Sequence, residues 1–150
     1  MTLVVWVEDF SVGNAMIDSD HKKMFGMVNN IVHAIRTRDH YSTLPQAFKQ
    51  LEYCLRAHFE SEKKIAQAIG FPFSQNELQH KYALKALRLT RDAVAAMSAK
   101  NGMWSDEAAG HYSSLLSDWL TNHVLKEDML MKPMLQTYPY DFNPNFEVDN

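Results

Sequence analysis

The sequence predicts an all-α fold, an up-down-up-down four-helix bundle with an extended N-terminal arm. Three observations carry that prediction. Apolar residues recur at alternating steps of three and four in four long segments, most of these segments are bounded by recognisable start or stop residues, and no period-two run is long enough to argue for a sheet. At 150 residues and 17.3 kDa the chain reads as one domain able to bury its own core. Its expected parts are an arm over residues 1–17, a bundle over about 18–134 and an extended tail over 135–150.

The arm holds no helical period. Trp6, Phe10, Val12, Met16 and Ile17 are irregularly spaced apolar anchors around Gly13 and Asn14. The first helix is expected to be capped by Asp18 or Ser19, and His21, Phe25, Val28, Val32 and Ile35 form its inward stripe up to about Arg38. Pro45 suits the first turn of the second helix, whose stripe is Phe48, Leu51, Leu55, Ile65 and Ile69, with Gly70 and Pro72 marking its end. Ser74 and Glu77 have the spacing of a capping box for the third helix. Its stripe is His80, Ala83 or Leu84, Leu87, Val94 and Met97, and Asn101-Gly102 stops it. The fourth helix is expected to start between Ser105 and Glu107 and to carry Leu116, Leu120, His123, Leu130 and Met134 on one face, with an end or kink near Pro133. The tail, with Tyr138, Tyr140, Phe142 and Phe146, reads as extended, packed through its aromatics and then frayed.

Composition excludes several function classes. A net charge of -3 and the lack of any Lys/Arg cluster argue against nucleic acid. The apolar runs are too short to cross a bilayer, and Met1 to Phe10 carries Glu8 and Asp9 and lacks a basic leader, so the expected location is the cytoplasm. The single cysteine, Cys54, cannot form an internal disulfide and reads as a small packed side chain.

The chemistry is in the interruptions of the stripes. His58 and Glu62 occupy the two missing beats of the second helix, one turn apart and aimed inward. A lone inward His is ordinarily a hydrogen-bonded core residue, but a buried carboxylate beside it must be compensated, and a metal ion would do so. Of seven histidines, His21, His58, His80 and His123 fall one on each stripe, while His33, His40 and His111 fall off the stripes or in loops. Imidazoles and carboxylates together suit iron, manganese or zinc, and bundle cores assemble such sites from facing helices. Glu62 and either Asp128 or Glu127 are the carboxylates on offer.

The segments Ile17-Asp18-Ser19-Asp20-His21-Lys22-Lys23-Met24-Phe25, His58-Phe59-Glu60-Ser61-Glu62 and Trp119-Leu120-Thr121-Asn122-His123-Val124-Leu125-Lys126-Glu127-Asp128 resemble the bacterial hemerythrins, over roughly residues 6 to 133. The resemblance implies two iron ions with an oxo or hydroxo bridge and reversible binding of dioxygen, or a similar small diatomic, at the iron with the open position. It implies His21 and His58 on one iron, His123 and a helix-three pair on the other, and Glu62 and Asp128 as bridges. Asp128 rests on the resemblance alone. Five residues of α-helix turn about 140° from His123, so periodicity prefers Glu127. Trp119 and Leu120 would line the oxygen pocket, and they are equally explained as core.

This chain departs from the family at one point. The family carries His-x3-His on helix three, whereas here only His80 is present, with Asn76 one turn before it and Leu84 one turn after. Asn76 can offer a carbonyl oxygen to a metal and is the preferred alignment; as a polar residue near a helix start it needs no ligand. The leading expectation is therefore an oxygen-binding di-iron protein for storage, delivery or sensing. Its rival is a di-iron redox enzyme (oxidase, peroxidase or nitric-oxide-handling) that uses the coordination position opened by the missing imidazole. A bundle that has lost its iron and serves as a binding module is the third.

Overall fold

A computed structural model describes residues 4–39 and 41–144. Four long helical stretches run in antiparallel succession: α1 (Ala15–Thr37), α2 (Leu44–Ile69), α3 (Ser74–Ser98) and α4, which is α-helical over Asp106–Asp118. Each packs on its neighbours in sequence, and α4 closes the ring on α1. The short connections dictate this order, since a few residues can only return the chain beside the helix it has just left. Among the described residues no helix is long and apolar enough to cross a membrane.

The helix ends follow local chemistry, with two corrections. α1 starts at Ala15, earlier than the expected end of the arm at residue 17, because Asn14 and not Asp18 or Ser19 is the cap; its side-chain oxygen accepts from the N–H groups of Met16 and Ile17. The capping box at Ser74 does not form. The residue before α3 is Phe73 and no side chain caps the helix, while Glu77 reaches across to Lys63, 2.8 Å away. Pro45 does sit in the first turn of α2, and Gly70 ends that helix at φ 72°, a left-handed conformation that costs glycine nothing. Ser105 caps α4 through Ala108 N–H.

Beyond Asp118 the fourth helix changes character. Trp119–Leu125 is π-helical, Lys126–Asp128 returns to α geometry, Met129–Met131 is a 3-10 turn and Lys132–Leu135 a last α turn. A π segment shifts the register of all that follows it. The buried face runs through Leu116, Leu120, Val124, Asp128, Met131 and Leu135, whereas His123 and Leu130, expected inward, are exposed.

The stripes of the other three helices are inward as read, except that Met97 is only half buried and Leu84 sits beside the fully enclosed Ala83. The apolar interior falls into two clusters. A larger one fills the end where α1 runs into α2, and includes Val28, Val32, Leu51, Leu55, Leu87, Leu116 and Trp119. A smaller one, Val12, Ile17, Ile65, Ala66, Ile69, Met131 and Leu135, lies under the arm and the tail. On α1, α2 and α4 the chain passes from one cluster to the other through polar residues. That layer is where the chemistry sits.

The tail is neither extended throughout nor loose over its described length. Tyr140 O accepts from Ala15 N–H at 2.8 Å, Asn14 donates to Phe142 O at 2.9 Å, and the Tyr138 and Phe142 rings pack together. Phe146, like His40, lies outside the described residues.

Candidate metal centre

His21, His58, Glu62 and Asp128 each bring one donor atom within 4.8 Å of the others, and all four are buried. His21 Nε2 stands 2.6 Å from Asp128 Oδ2, and His58 Nε2 stands 2.8 Å from the same oxygen and 3.0 Å from Glu62 Oε2. From α3, His80 Nε2 is 3.2 Å from Glu62 Oε1 and 3.7 Å from Asp128 Oδ1. Each carboxylate thus presents one oxygen to the His21–His58 side and the other to His80.

Hydrogen bonding alone does not satisfy this group. Both Glu62 oxygens, Asp128 Oδ1, His80 Nε2 and His21 Nδ1 are buried without a well-aligned partner, despite the short separations. Orphaned polar atoms in a dry core are costly, and several converging on one point are what a cation would satisfy. The spacing fits as well, since two ligands about 2.1 Å from one ion and at right angles stand about 3 Å apart. Nitrogen and carboxylate oxygen together suit iron, manganese or zinc.

One partner outside the cluster orients it. His58 Nδ1–H donates to Asp20 Oδ2 at 3.0 Å, which fixes the tautomer and leaves Nε2 to face inward. Sequence reasoning gave Asp20 no role. The pairing joins α1 to α2 and has no signature in either helix alone.

Among themselves the titratable groups are strongly matched. Burial pushes the His58 imidazole down, but Asp128, Asp20 and Glu62 together hold it well above its ordinary value. Burial likewise opposes His80, yet the nearby carboxylates of Asp128 and Glu62 raise it to about 9. Burial would push Asp128 up, and the three imidazoles outweigh it and hold the carboxyl well below the usual range. Glu62 moves the other way, raised by burial and by the neighbouring Asp128 charge. Two carboxylates with opposite shifts in one dry pocket repel, a conflict a cation between them would relieve.

The remaining expected site residues are distributed as follows. Asn76 is buried one turn before His80, and its amide nitrogen donates to Glu127 O at 3.3 Å, leaving its oxygen as the acceptor end. Asp128, and not Glu127, faces the cluster. Glu127 is half buried, its carboxyl raised by burial and by Asp128. His123 is not brought in. Its side chain is 60% exposed, 3.9 Å from Asp118, because Val124 and Asp128, four residues apart, take the inward places and the residue five before Asp128 is left outside. Trp119 and Leu120 are buried in the larger apolar cluster, the indole N–H donating to Ala83 O at 2.9 Å.

A family model described as the hemerythrin HHE cation binding domain matches residues 12–135. The chain belongs to the hemerythrin family. Among curated hemerythrin relatives, it is 27% identical over 128 residues to the bacteriohemerythrin of Pseudomonas aeruginosa, covering 85% of this chain and 78% of that protein. It is 22% identical to the bacteriohemerythrin of Stenotrophomonas maltophilia, covering 95% and 88%, and 26% identical to that of Methylococcus capsulatus, covering 90% and 98%. No solved structure matches the chain. As a hemerythrin-family domain it is expected to hold a non-heme metal, and the cluster of His, Glu and Asp at its centre is a group that could bind one.

Proposed function

We propose that this hemerythrin-like chain holds two bridged iron ions in the central layer and binds dioxygen, or a diatomic of similar size, for storage, delivery or sensing. The observation that carries this reading is the split of the two carboxylates. Glu62 and Asp128 each offer one oxygen to the side of His21 and His58 and one to the side of His80, the arrangement that would let both span a pair of ions. The name bacteriohemerythrin borne by the relatives agrees with it.

In this proposal His21 and His58 hold one iron, and His80, with the Asn76 oxygen beside it, holds the other. His123 would join only if the Trp119–Leu125 turn rotated, and the donor set is complete enough to hold metal without it. Bound iron would supply the electrons that dioxygen takes up on binding, and would recover them on release. The chain supplies the rest. Asp20 keeps His58 in the tautomer that binds metal, and the enclosed side chains around the layer, Trp119, Leu120 and Val124 among them, shield the centre from bulk water on the α4 side.

A redox enzyme is the second reading, and the position of His123 favours it. With one imidazole on the His80 side, that iron would have a position free for a reacting ligand. The deciding measurement is iron per chain together with the visible spectrum of the reduced protein before and after air is admitted. Two irons and an oxygen-dependent band that reverses on removing oxygen are the expected result. One iron, or a band that forms once and does not reverse, would replace the carrier by the enzyme. Replacing His58 should abolish iron binding, while replacing the exposed His111 should leave it intact; equal effects would overturn the site.

A further inference from the structure

The layer is not equally enclosed on all sides. His21, Glu62 and Asp128 have no exposed surface and His58 is 1% exposed, but His80 is 6% exposed and forms the floor of a cleft of about 270 Å³ between α2 and α3. Its ring lies flat on Phe59, centroids 3.7 Å apart and planes within 4°, with Phe73 edge-on at 5.2 Å. Leu84 lines the same cleft one turn beyond His80, and the exposed Arg56, Glu60 and Lys81 stand around its rim. At the mouth, Lys63 of α2 and Glu77 of α3 meet at 2.8 Å.

A second cleft, of about 200 Å³, approaches from the other face of α2. It reaches His58, but there Asp20 occupies the outward ring nitrogen, and Lys23, Tyr53, Cys54 and Ser61 line the wall. Both clefts carry charge at the rim; they differ at the floor, where the first has packed rings and the second a hydrogen-bonded carboxylate. An uncharged diatomic partitions into apolar surroundings and is not helped by a hydrogen-bonded carboxylate in its path.

We infer that the α2–α3 cleft over Phe59, Phe73 and Leu84 is the route by which a small apolar ligand reaches the centre, arriving on the His80 side, and that the Lys63–Glu77 ion pair narrows its mouth. The inference rests on the proposed small-ligand function, and it selects one face of the layer and one helix pair for entry. Motion of two surface side chains opens the mouth, so no helix has to separate. An ion pair this exposed is weak enough to break on the timescale of side-chain rotation.

Two experiments test the route, and the first needs no iron. Dissolved dioxygen speeds the relaxation of protons it approaches. In the metal-free protein under oxygen pressure, nuclear magnetic resonance should show stronger enhancement at Phe59, Phe73 and Leu84 than at Tyr53 and Ala57. The reverse order would overturn the route. In the iron-loaded, reduced protein, nitric oxide, an uncharged diatomic, is the probe. Leu84→Trp should slow its association about tenfold with the equilibrium constant little changed, since a plug in a path alters both rates together. Ala57→Trp, in the opposite cleft, should leave the rate unchanged, and Lys63→Ala should raise it about twofold. Slowing by Ala57→Trp and none by Leu84→Trp would overturn the inference. Should Leu84→Trp fail to fold, the oxygen map and Lys63→Ala decide. A protein that takes up no iron would refute the proposed function, while the oxygen map would still judge the cleft.

Discussion

The two ends of the bundle are closed by different means. At the larger apolar cluster the closure is mainly burial: Ile35, Leu44, Phe48, Val94 and Trp104 are enclosed together, and two hydrogen bonds, Trp104 N–H to Ile35 O and Arg38 to Trp104 O, both 2.9 Å, fix the indole there. At the smaller cluster fewer apolar side chains are enclosed, and one buried carboxylate gathers three segments. Asp18 accepts from Ser11 Oγ at 2.5 Å, Val12 N–H at 2.9 Å and Tyr140 Oη at 2.8 Å, joining arm, helix and tail. The difference teaches that the polar layer lies between a part of the chain held mainly by hydrophobic burial and a part where directed hydrogen bonds to one carboxylate add to a smaller apolar cluster. Hydrophobic burial is spread over many groups, whereas Asp18 concentrates the closure in one.

That contrast can be broken or sharpened in order of expected effect. Leu51→Ala, in the larger cluster and fully enclosed, should cost about 2–5 kcal/mol in denaturant unfolding while leaving iron content per folded chain unchanged. Loss of iron at equal stability would show that the two parts are not separable. Asp18→Ala should cost about 1–3 kcal/mol, because it strands a buried N–H. Here the loss should appear first as faster hydrogen exchange in the arm and the start of α1, with iron held less tightly; uniform acceleration across the bundle would erase the contrast. Arg38→Ala should lower stability in denaturant unfolding less than either, and less still in high salt, since its ion-pair partner Asp106 is almost wholly exposed.

The smallest effect is one of pH. Burial and the hydrogen bond to Asp18 raise the Tyr140 phenol to about 12. A phenol that ionises near pH 10 in the unfolded chain therefore stabilises the fold fully below pH 10, and this contribution is lost as pH rises toward 12. Thermal unfolding should reveal that slope in the native chain and a flatter one in Tyr140→Phe. Equal slopes would mean that the Tyr140–Asp18 contact is not held in solution.

Much of this architecture could be read from spacing. The stripes of α1 and α2 are inward at every expected position, and His21, His58, Glu62 and His80 lie where the interrupted stripes put them, because a regular α-helix carries its periodicity unchanged along its length. The fourth helix could be read only as far as Leu120. A π segment leaves no mark in apolar periodicity, so His123 and Leu130 were given inward places that belong to Val124 and Met131. The same shift explains why bare periodicity favoured Glu127, while the motif pointed to Asp128, the residue that faces the cluster. Asp20 on His58 and Tyr140 on Asp18 were not legible for another reason. Each joins segments 38 and 122 residues apart, and no local pattern encodes such a pairing.

The polar layer has a consequence for how the helices slide. Along α1, α2 and α4 the imidazoles and carboxylates are bounded above and below by enclosed apolar side chains, so moving any one helix by a turn would drive an ionisable group into hydrocarbon and a methyl group into the polar layer. Apolar side chains can exchange places along a seam at little cost; these groups cannot. The layer therefore acts as an alignment mark, selecting one axial position for each helix from among several that the apolar stripes alone would tolerate.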